Sequence, residues 1–387
     1  MGIRLLREAT LRKGTRVIVR ADLDIALLPD KRTETYRIDA VLPTLRFLIR
    51  NGARLRIIGH RGRPKGRRDP RLSLAPLASY FSRRLRCRVI FVENSLRFNQ
   101  ITRVEDSARV ILLENLRFWP GEEDNTVSFA RSLAQWGEIY VNEAFANCHR
   151  AHASMVPLAK ILPSYAGFHL ADEVAALNRV LKKPQRPFIA ILGGVKIETK
   201  LPLIQRFLRE ADRVLVGGAL ANTLLAFMGK AIGKSVADTN ERAPASILRS
   251  KKLYLPSDVV VADGLNATSR HRVWPVKEVG RHGYIVDIGP ASQSKFVSLL
   301  AGAKTVVWNG PLGFAEVREF AKGTIAIAGA VRRLHAFTLV GGGDTLATLG
   351  RYRLLGGFSH ISTGGGAMLE FLAGRKLPAI EALGKRL

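Results

Sequence analysis

The sequence predicts an α/β protein built from two successive parallel-sheet domains, and three observations carry that reading. Short β-branched runs alternate with helical apolar spacing along the whole chain, the pattern of strands covered on both faces by helices. A long helical segment, Gly167 to Leu181, runs into Lys182-Lys-Pro-Gln-Arg-Pro187, a proline-containing break after which the alternation restarts. The length of 387 residues suits about two or three domains. The expected division is residues 1–166, a connecting helix and linker at 167–183, residues 184–369, and a C-terminal tail at about 370–387.

In the first half, the strand-like runs are Arg16–Arg20, Leu55–Ile58, Val89–Val92, Val110–Leu113 and Ile139–Val141. Between the first two, Arg37 to Asn51 has helical apolar spacing through Ile38, Val41, Leu42, Leu45 and Leu48. In the second half, Phe188–Leu192, Val214–Val216, Val259–Val261, Thr305–Val307 and Phe337–Val340 read as strands of the same alternation. Ligands of open parallel sheets bind beyond the carboxyl ends of the strands, so the chemistry is sought in the loops that follow these runs.

Those loops differ between the halves. In the first they carry cations and a few acids: Asp22 and Asp24, then Arg37; His60, Arg63 and Lys65; Arg117; and His149, Arg150 and His152. A single arginine is most simply a solvated surface charge, but four successive strand ends bring an Arg or His to one sheet edge. Guanidinium forks match carboxylate and phosphate, so a small, multiply anionic ligand is expected. In the second half the loops are glycine-rich. Gly193-Gly-Val-Lys196-Ile-Glu-Thr-Lys200 is read as opening a helix with both lysines on one face. Gly217-Gly218, Asn309-Gly-Pro-Leu-Gly313 and Gly364-Gly-Gly366 follow other runs.

Gly341-Gly-Gly-Asp-Thr345 lies between a strand-like run and a helix-like one. Glycines let backbone amides approach a phosphate, and the helix start attracts anions. An Asp there suits an anion site when a cation lies between, as in a magnesium nucleotide. Alone, the segment reads equally well as a tight turn with an Asp cap.

Composition removes several classes. The opening Met-Gly-Ile-Arg-Leu-Leu-Arg-Glu has no apolar block long enough for a signal peptide or a membrane span. Cys87 and Cys148 lack paired spacing, so neither a disulfide framework nor a zinc site is indicated, and a reducing cytoplasm is expected. No nucleophile elbow and no Walker A loop occur. The 61 Lys and Arg against 32 Asp and Glu give +29, which biases encounters toward anions without choosing among them.

Taken in order, these stretches resemble the phosphoglycerate kinase family over essentially the whole chain. The matching segments are Val19-Arg-Ala-Asp-Leu-Asp24, Tyr36-Arg-Ile38, His60-Arg-Gly-Arg-Pro-Lys-Gly66, Leu113-Glu-Asn-Leu-Arg-Phe118 and Tyr140-Val-Asn-Glu-Ala-Phe145 with His149 to Ser154. They continue through Gly193-Gly-Val-Lys196, Asp287-Ile-Gly-Pro290, Trp308 to Gly313, Gly341 to Thr345 and Ser359 to Ala367.

The resemblance implies two Rossmann-like domains joined by an interdomain helix and hinge, with the C-terminal tail packed on the first. It implies reversible phosphoryl transfer between 1,3-bisphosphoglycerate and ADP, giving 3-phosphoglycerate and ATP. Carried over by position, the glycerate site of the first domain is Asp22, Asp24, Arg37, His60, Arg63, Arg117 and Arg150. The Mg-nucleotide site of the second is Gly193, Lys200, Gly217, Asn309, Glu316 on the ribose, Gly341, Gly342, Gly343, Asp344 and Thr345, with Asp344 holding Mg²⁺. Arg37 and Lys196, with the glycine turns at Gly342 and Gly365, are implied in the transfer itself. Nothing in the sequence demands an oligomer, and a monomer is expected.

Some positions depart from the family pattern: Asp24 stands for a usual Asn, Gly59 for Ser, Glu143 for Asp and Ala219 for Gly. With the +29 charge, these leave a second reading, an impaired kinase scaffold serving as a basic protein that associates non-specifically with nucleic acid.

Overall fold

A computed structural model describes residues 2–25, 35–93, 108–195, 197–198, 200–238 and 243–384. The chain forms two compact units, Met1–Ala175 with Arg375–Leu387, and Ala176–Gly374. Among the described residues no helix is long and apolar enough to cross a membrane.

The first unit holds β1 (Arg16–Arg20), β2 (Arg54–Ile58), β3 (Val89–Val92), β4 (Val110–Leu113), β5 (Ile139–Asn142) and β6 (Ser164–Ala166). They form one sheet in the order β3-β4-β2-β1-β5-β6, every pair parallel. Its strands are buried on both faces and mostly apolar, with Arg20 and Arg56 as buried exceptions. The helix Thr35–Arg50 supplies Ile38, Val41, Leu42 and Leu45 to a core shared with Val17, Val19, Leu55 and Ile57. The chain leaves β1 toward β2 and returns from β4 to β5, so the order reverses between β1 and β5. The loops after β1 and β5 therefore flank the switch point, where such sheets hold ligands.

The second unit contains β7 (Phe188–Leu192), β8 (Arg213–Val216), β9 (Leu253–Tyr254), β10 (Asp258–Ala262), β11 (His271–Pro275), β12 (Tyr284–Ile288), β13 (Thr305–Asn309), β14 (Phe337–Gly341) and β15 (His360–Ser362). Six make a parallel sheet in the order β15-β14-β13-β7-β8-β9, which reverses between β7 and β13. The run Val259–Val261 is not among them. It is the middle of β10, at the centre of a separate antiparallel sheet ordered β11-β10-β12. One face of that sheet packs Val259 against Leu225, Val276 and Val279, and the other packs Val260 against Phe320.

The helix Phe168–Lys182 spans the boundary between the units, and its first turn is held by a distant carboxylate. Glu143, just after β5, accepts hydrogen bonds from the Leu170 amide at 2.9 Å and the Thr44 hydroxyl. The Phe168 amide donates to Thr44 Oγ1 at 3.0 Å. A Cβ at position 167 would lie 2.2 Å from Glu143 Cδ, so glycine is required there. Burial pushes the Glu143 carboxyl up to about 7, against the opposing bonds from Thr44 and Leu170. The folded state thus keeps a proton that the unfolded chain releases, and this contribution to stability is full below the ordinary carboxylate range and lost as pH rises to about 7. Relative to Glu143→Gln, the wild type should lose up to ~3 kcal/mol of stability between about pH 4.5 and 7.5. Urea unfolding of both proteins across that range checks it; a constant difference would refute it.

Candidate active site

In the first unit, the residues after β1, β2 and β4 converge on one arginine-rich ring. Arg20 closes β1 and is fully buried. Its Nε donates to Ser154 Oγ at 2.9 Å, and Ser154 donates through its amide and hydroxyl to the buried Glu122 at 2.9 and 2.6 Å. Arg20 Nη2 lies 2.8 Å from His60 Nδ1. A guanidinium can only donate, so Nδ1 accepts and the ring proton sits on Nε2. Burial first, then Arg20 and Arg117, hold the His60 pKa well below its ordinary value. His60 is neutral, and its 3.7 Å approach to Asp24 is not an ion pair. His152, 3.9 Å from Glu122, is likewise pushed down to about 3, by burial and then Arg117 and Arg20. The positive charge of the ring is therefore carried by guanidinium groups alone.

Arg117 is 1% exposed. Its Nη1 donates to the Gly62 carbonyl at 2.8 Å, and its Nε lies 3.3 Å from Glu123. Nη2 is buried without a hydrogen-bond partner among the described residues, a donor that costs free energy unless an anion takes it. Asp22 Oδ2 is a buried acceptor in the same position, with Arg37 Nε 4.0 Å away. Arg37 Nη1 donates to the Asp24 carbonyl at 3.2 Å, and Asp24 Oδ1 accepts the Gly62 amide at 2.8 Å. Arg150 is half-buried and its Nε donates to His149 at 3.3 Å, whereas Arg63, next to Gly62, is exposed. The structure thus brings Asp22, Asp24, Arg37, His60 and Arg117 together, with Arg20 holding His60.

In the second unit, the glycine loops after β7, β13 and β14 are knitted into one bed. Lys200 Nζ donates to the Gly193 carbonyl and to Asn309 Oδ1, both at 2.6 Å. Asn309 Nδ2 donates to the Gly341 carbonyl at 3.0 Å, and the Gly310 amide to Thr345 Oγ1 at 2.7 Å. The stretch leads into a helix as expected, but Ile197, Glu198 and Lys200 are not yet helical. The helix is Leu201–Glu210, with Pro202 in its first turn and Lys200 as its N-cap, its side chain turned back to the strand ends. Lys196 lies outside the described residues. Burial pushes the Lys200 ammonium down to about 8, with Asp344 opposing.

Gly342 has φ of +101° and caps the helix Gly343–Arg351, whose first turn carries the exposed Asp344. Gly365, at φ +49°, caps the helix Gly366–Leu372. Gly341 is packed under Met368, and the Cβ position of Gly217 is taken by Leu312. Beside these turns lies a mostly apolar groove walled by Val236, Leu265, Ile285, Pro311 and Leu312, with Glu316 and Asp344 also lining it. An apolar slot beside exposed glycine amides fits a base and its phosphates.

Among the described residues no cluster of three or more His, Cys, Asp or Glu could hold a metal by itself. Asp344 is an exposed carboxylate in no ion pair with a described residue, beside a glycine turn. That donor set fits an ion held by one carboxylate and nucleotide phosphates, not a pre-built cage.

Arg20 is not among the site residues that the sequence offers, although it closes β1 and lies in the Val19 to Asp24 segment. An arginine closing a run buried on both faces demands a buried partner, and that was the available signal.

The phosphoglycerate kinase family model matches residues 7–375. Phosphoglycerate kinase of Herpetosiphon aurantiacus is 41% identical over 379 residues, 96% of each chain. That of Thermus thermophilus is 42% identical over 380 residues, 96% of this chain and 97% of the other. The solved phosphoglycerate kinase of Coxiella burnetii superposes with a TM-score of 0.86 at 37% identity, covering 99% of both chains. That of Pyrococcus horikoshii gives 0.83 at 29% identity, over 98% of both. Over nearly its whole length and in both units, this chain belongs to the phosphoglycerate kinase family.

Proposed function

We infer that the protein is a kinase that transfers a phosphoryl group reversibly between 1,3-bisphosphoglycerate and ADP, giving 3-phosphoglycerate and ATP in glycolysis. The observation that carries this is a family match that spans both units, from residue 7 to residue 375. The arginine ring suits the glycerate: Asp22, Asp24, Arg37, His60, Arg63, Arg117 and Arg150 bind it, and Arg20 holds His60 in the tautomer that presents Nε2–H. The glycine bed suits the nucleotide: Gly193, Lys200, Gly217, Asn309 and Gly341 to Thr345 position its phosphates, Glu316 its ribose, and the apolar groove its base.

Phosphoryl transfer needs in-line positioning and charge stabilisation more than covalent help. Arg37 neutralises charge at the carboxyl end of the glycerate. Lys196 meets the moving phosphoryl group, and the amides at Gly342 and Gly365 stabilise its oxygens. Asp344 would hold Mg²⁺, which when bound offsets nucleotide phosphate charge. The proposed setting is a monomer in the cytoplasm.

A coupled assay for ATP-dependent phosphorylation of 3-phosphoglycerate tests the reading, and no turnover by well-folded protein would overturn it. Within it, Lys196→Ala should lower kcat by about 100-fold or more while changing nucleotide Kd only a few-fold. An unchanged kcat removes Lys196 from the role.

A further inference from the structure

The two oxygens of Asp24 are in different circumstances. Oδ1 accepts the Gly62 amide at 2.8 Å. Oδ2 stands 3.7 Å from Nε2 of the neutral His60, too far for a hydrogen bond, and accepts none from the described residues. The side chain is 43% exposed, yet its setting is fixed on both sides. Arg37 holds its backbone carbonyl at 3.2 Å, and Gly62, whose amide holds Oδ1, is itself held through its carbonyl by Arg117 at 2.8 Å. Turning the carboxylate only exchanges the oxygens, so one always faces away from Gly62.

Apart from its carboxylates Asp22 and Asp24, the ring offers donors only: the guanidinium groups and the His60 Nε2–H. A ligand that brings nothing but anionic acceptors satisfies those donors and is repelled by Asp24. A ligand that carries a hydroxyl beside its anionic groups satisfies both. An asparagine here would keep its oxygen on the Gly62 amide and turn an NH₂ outward, so the side chain's shape is the same while the outward atom changes from acceptor to donor.

We infer that Asp24 is a specificity determinant that reads a hydroxyl group on the ligand through a charge-assisted O–H···O⁻ hydrogen bond. This rests on the reading of the ring as a 3-phosphoglycerate site. The 2-hydroxyl is the one donor that molecule carries when fully ionised, and Asp24 makes the site depend on it.

The test is calorimetric binding of 3-phosphoglycerate and of its 2-deoxy analogue, 3-phosphonooxypropanoate, to the full chain and to Asp24→Asn at pH 7.5. The wild type should prefer the hydroxylated ligand by about 10- to 100-fold, the range for a hydrogen bond to a charged group. In Asp24→Asn the preference should fall to a few-fold, chiefly because the deoxy ligand binds more tightly. Equal ratios in the two proteins would overturn the inference. Binding of neither ligand would overturn the glycerate reading and this inference with it, a result distinct from equal ratios.

Discussion

Lys200→Met is expected to lower turnover by about 100- to 1,000-fold, the scale seen when one preorganised donor is removed from a transfer site. Lys200 is 7% exposed and ties two strand-end loops together, through the Gly193 carbonyl and Asn309 Oδ1. Methionine preserves the volume but leaves both acceptors without their donor. Burial, opposed by Asp344, pushes the ammonium down to about 8, so the charge is held at a cost to folding. The two pH consequences have opposite signs. Between about pH 8 and the ordinary lysine range, the unfolded chain binds the proton that the folded protein lacks, so this residue's contribution to stability improves as pH rises. An anionic nucleotide prefers the protonated amine, so its affinity should weaken as pH passes about 8. Calorimetric ADP titrations from pH 7 to 9.5, run on wild type and variant, separate the effects. Affinity that is flat in the wild type, together with variant turnover within tenfold of it, would place Lys200 outside the nucleotide site.

The fold class was legible because buried parallel strands write themselves as β-branched runs. β1, β3, β4 and β7 have the bounds that their sequences suggest. What was not legible is direction. Val259–Val261 reads as one more parallel strand, but it pairs antiparallel with the exposed edge strand His271–Pro275, which the short connection 263–270 allows in that sense only, and antiparallel with Tyr284–Ile288 on its other side. β6, β9 and β15, of two or three residues, are too short to leave a period. In the candidate site, the arginines announced themselves one by one after their strands. The protonation pattern did not, because it comes from packing. His60 counts as a cation in the sequence and is neutral in the fold, since it is buried and Arg20 arrives beside it from the neighbouring strand. Glu143, a departure from the family's usual Asp, is explained only by a helix start 25 or more residues further on.

Gly193→Ala should be the more damaging change to the second unit, by more than about 3 kcal/mol, with loss of nucleotide binding. The added Cβ would stand 2.0 Å from the Pro311 carbonyl oxygen and 2.8 Å from that of Gly310, both backbone atoms. Relief would require the loops after β7 and β13 to part, and both are pinned. The Gly193 amide donates to the Asn309 carbonyl at 2.8 Å, and the Gly194 amide to that of Pro311 at 3.1 Å. Trp308 Nε1 holds the Gly310 carbonyl at 2.8 Å, and Thr345 Oγ1 accepts its amide. The strain therefore falls on the switch point of the sheet, where the order reverses between β7 and β13. Gly343→Ala is the informative contrast, because its Cβ meets nothing within 4 Å and its φ is not positive. In the first turn of a helix, that change should leave stability within about 0.5 kcal/mol or raise it slightly. Urea unfolding of both variants decides the matter. Equal midpoints would mean that the two loops yield at Gly193, and that the close backbone crossing there does not set the shape of the nucleotide bed.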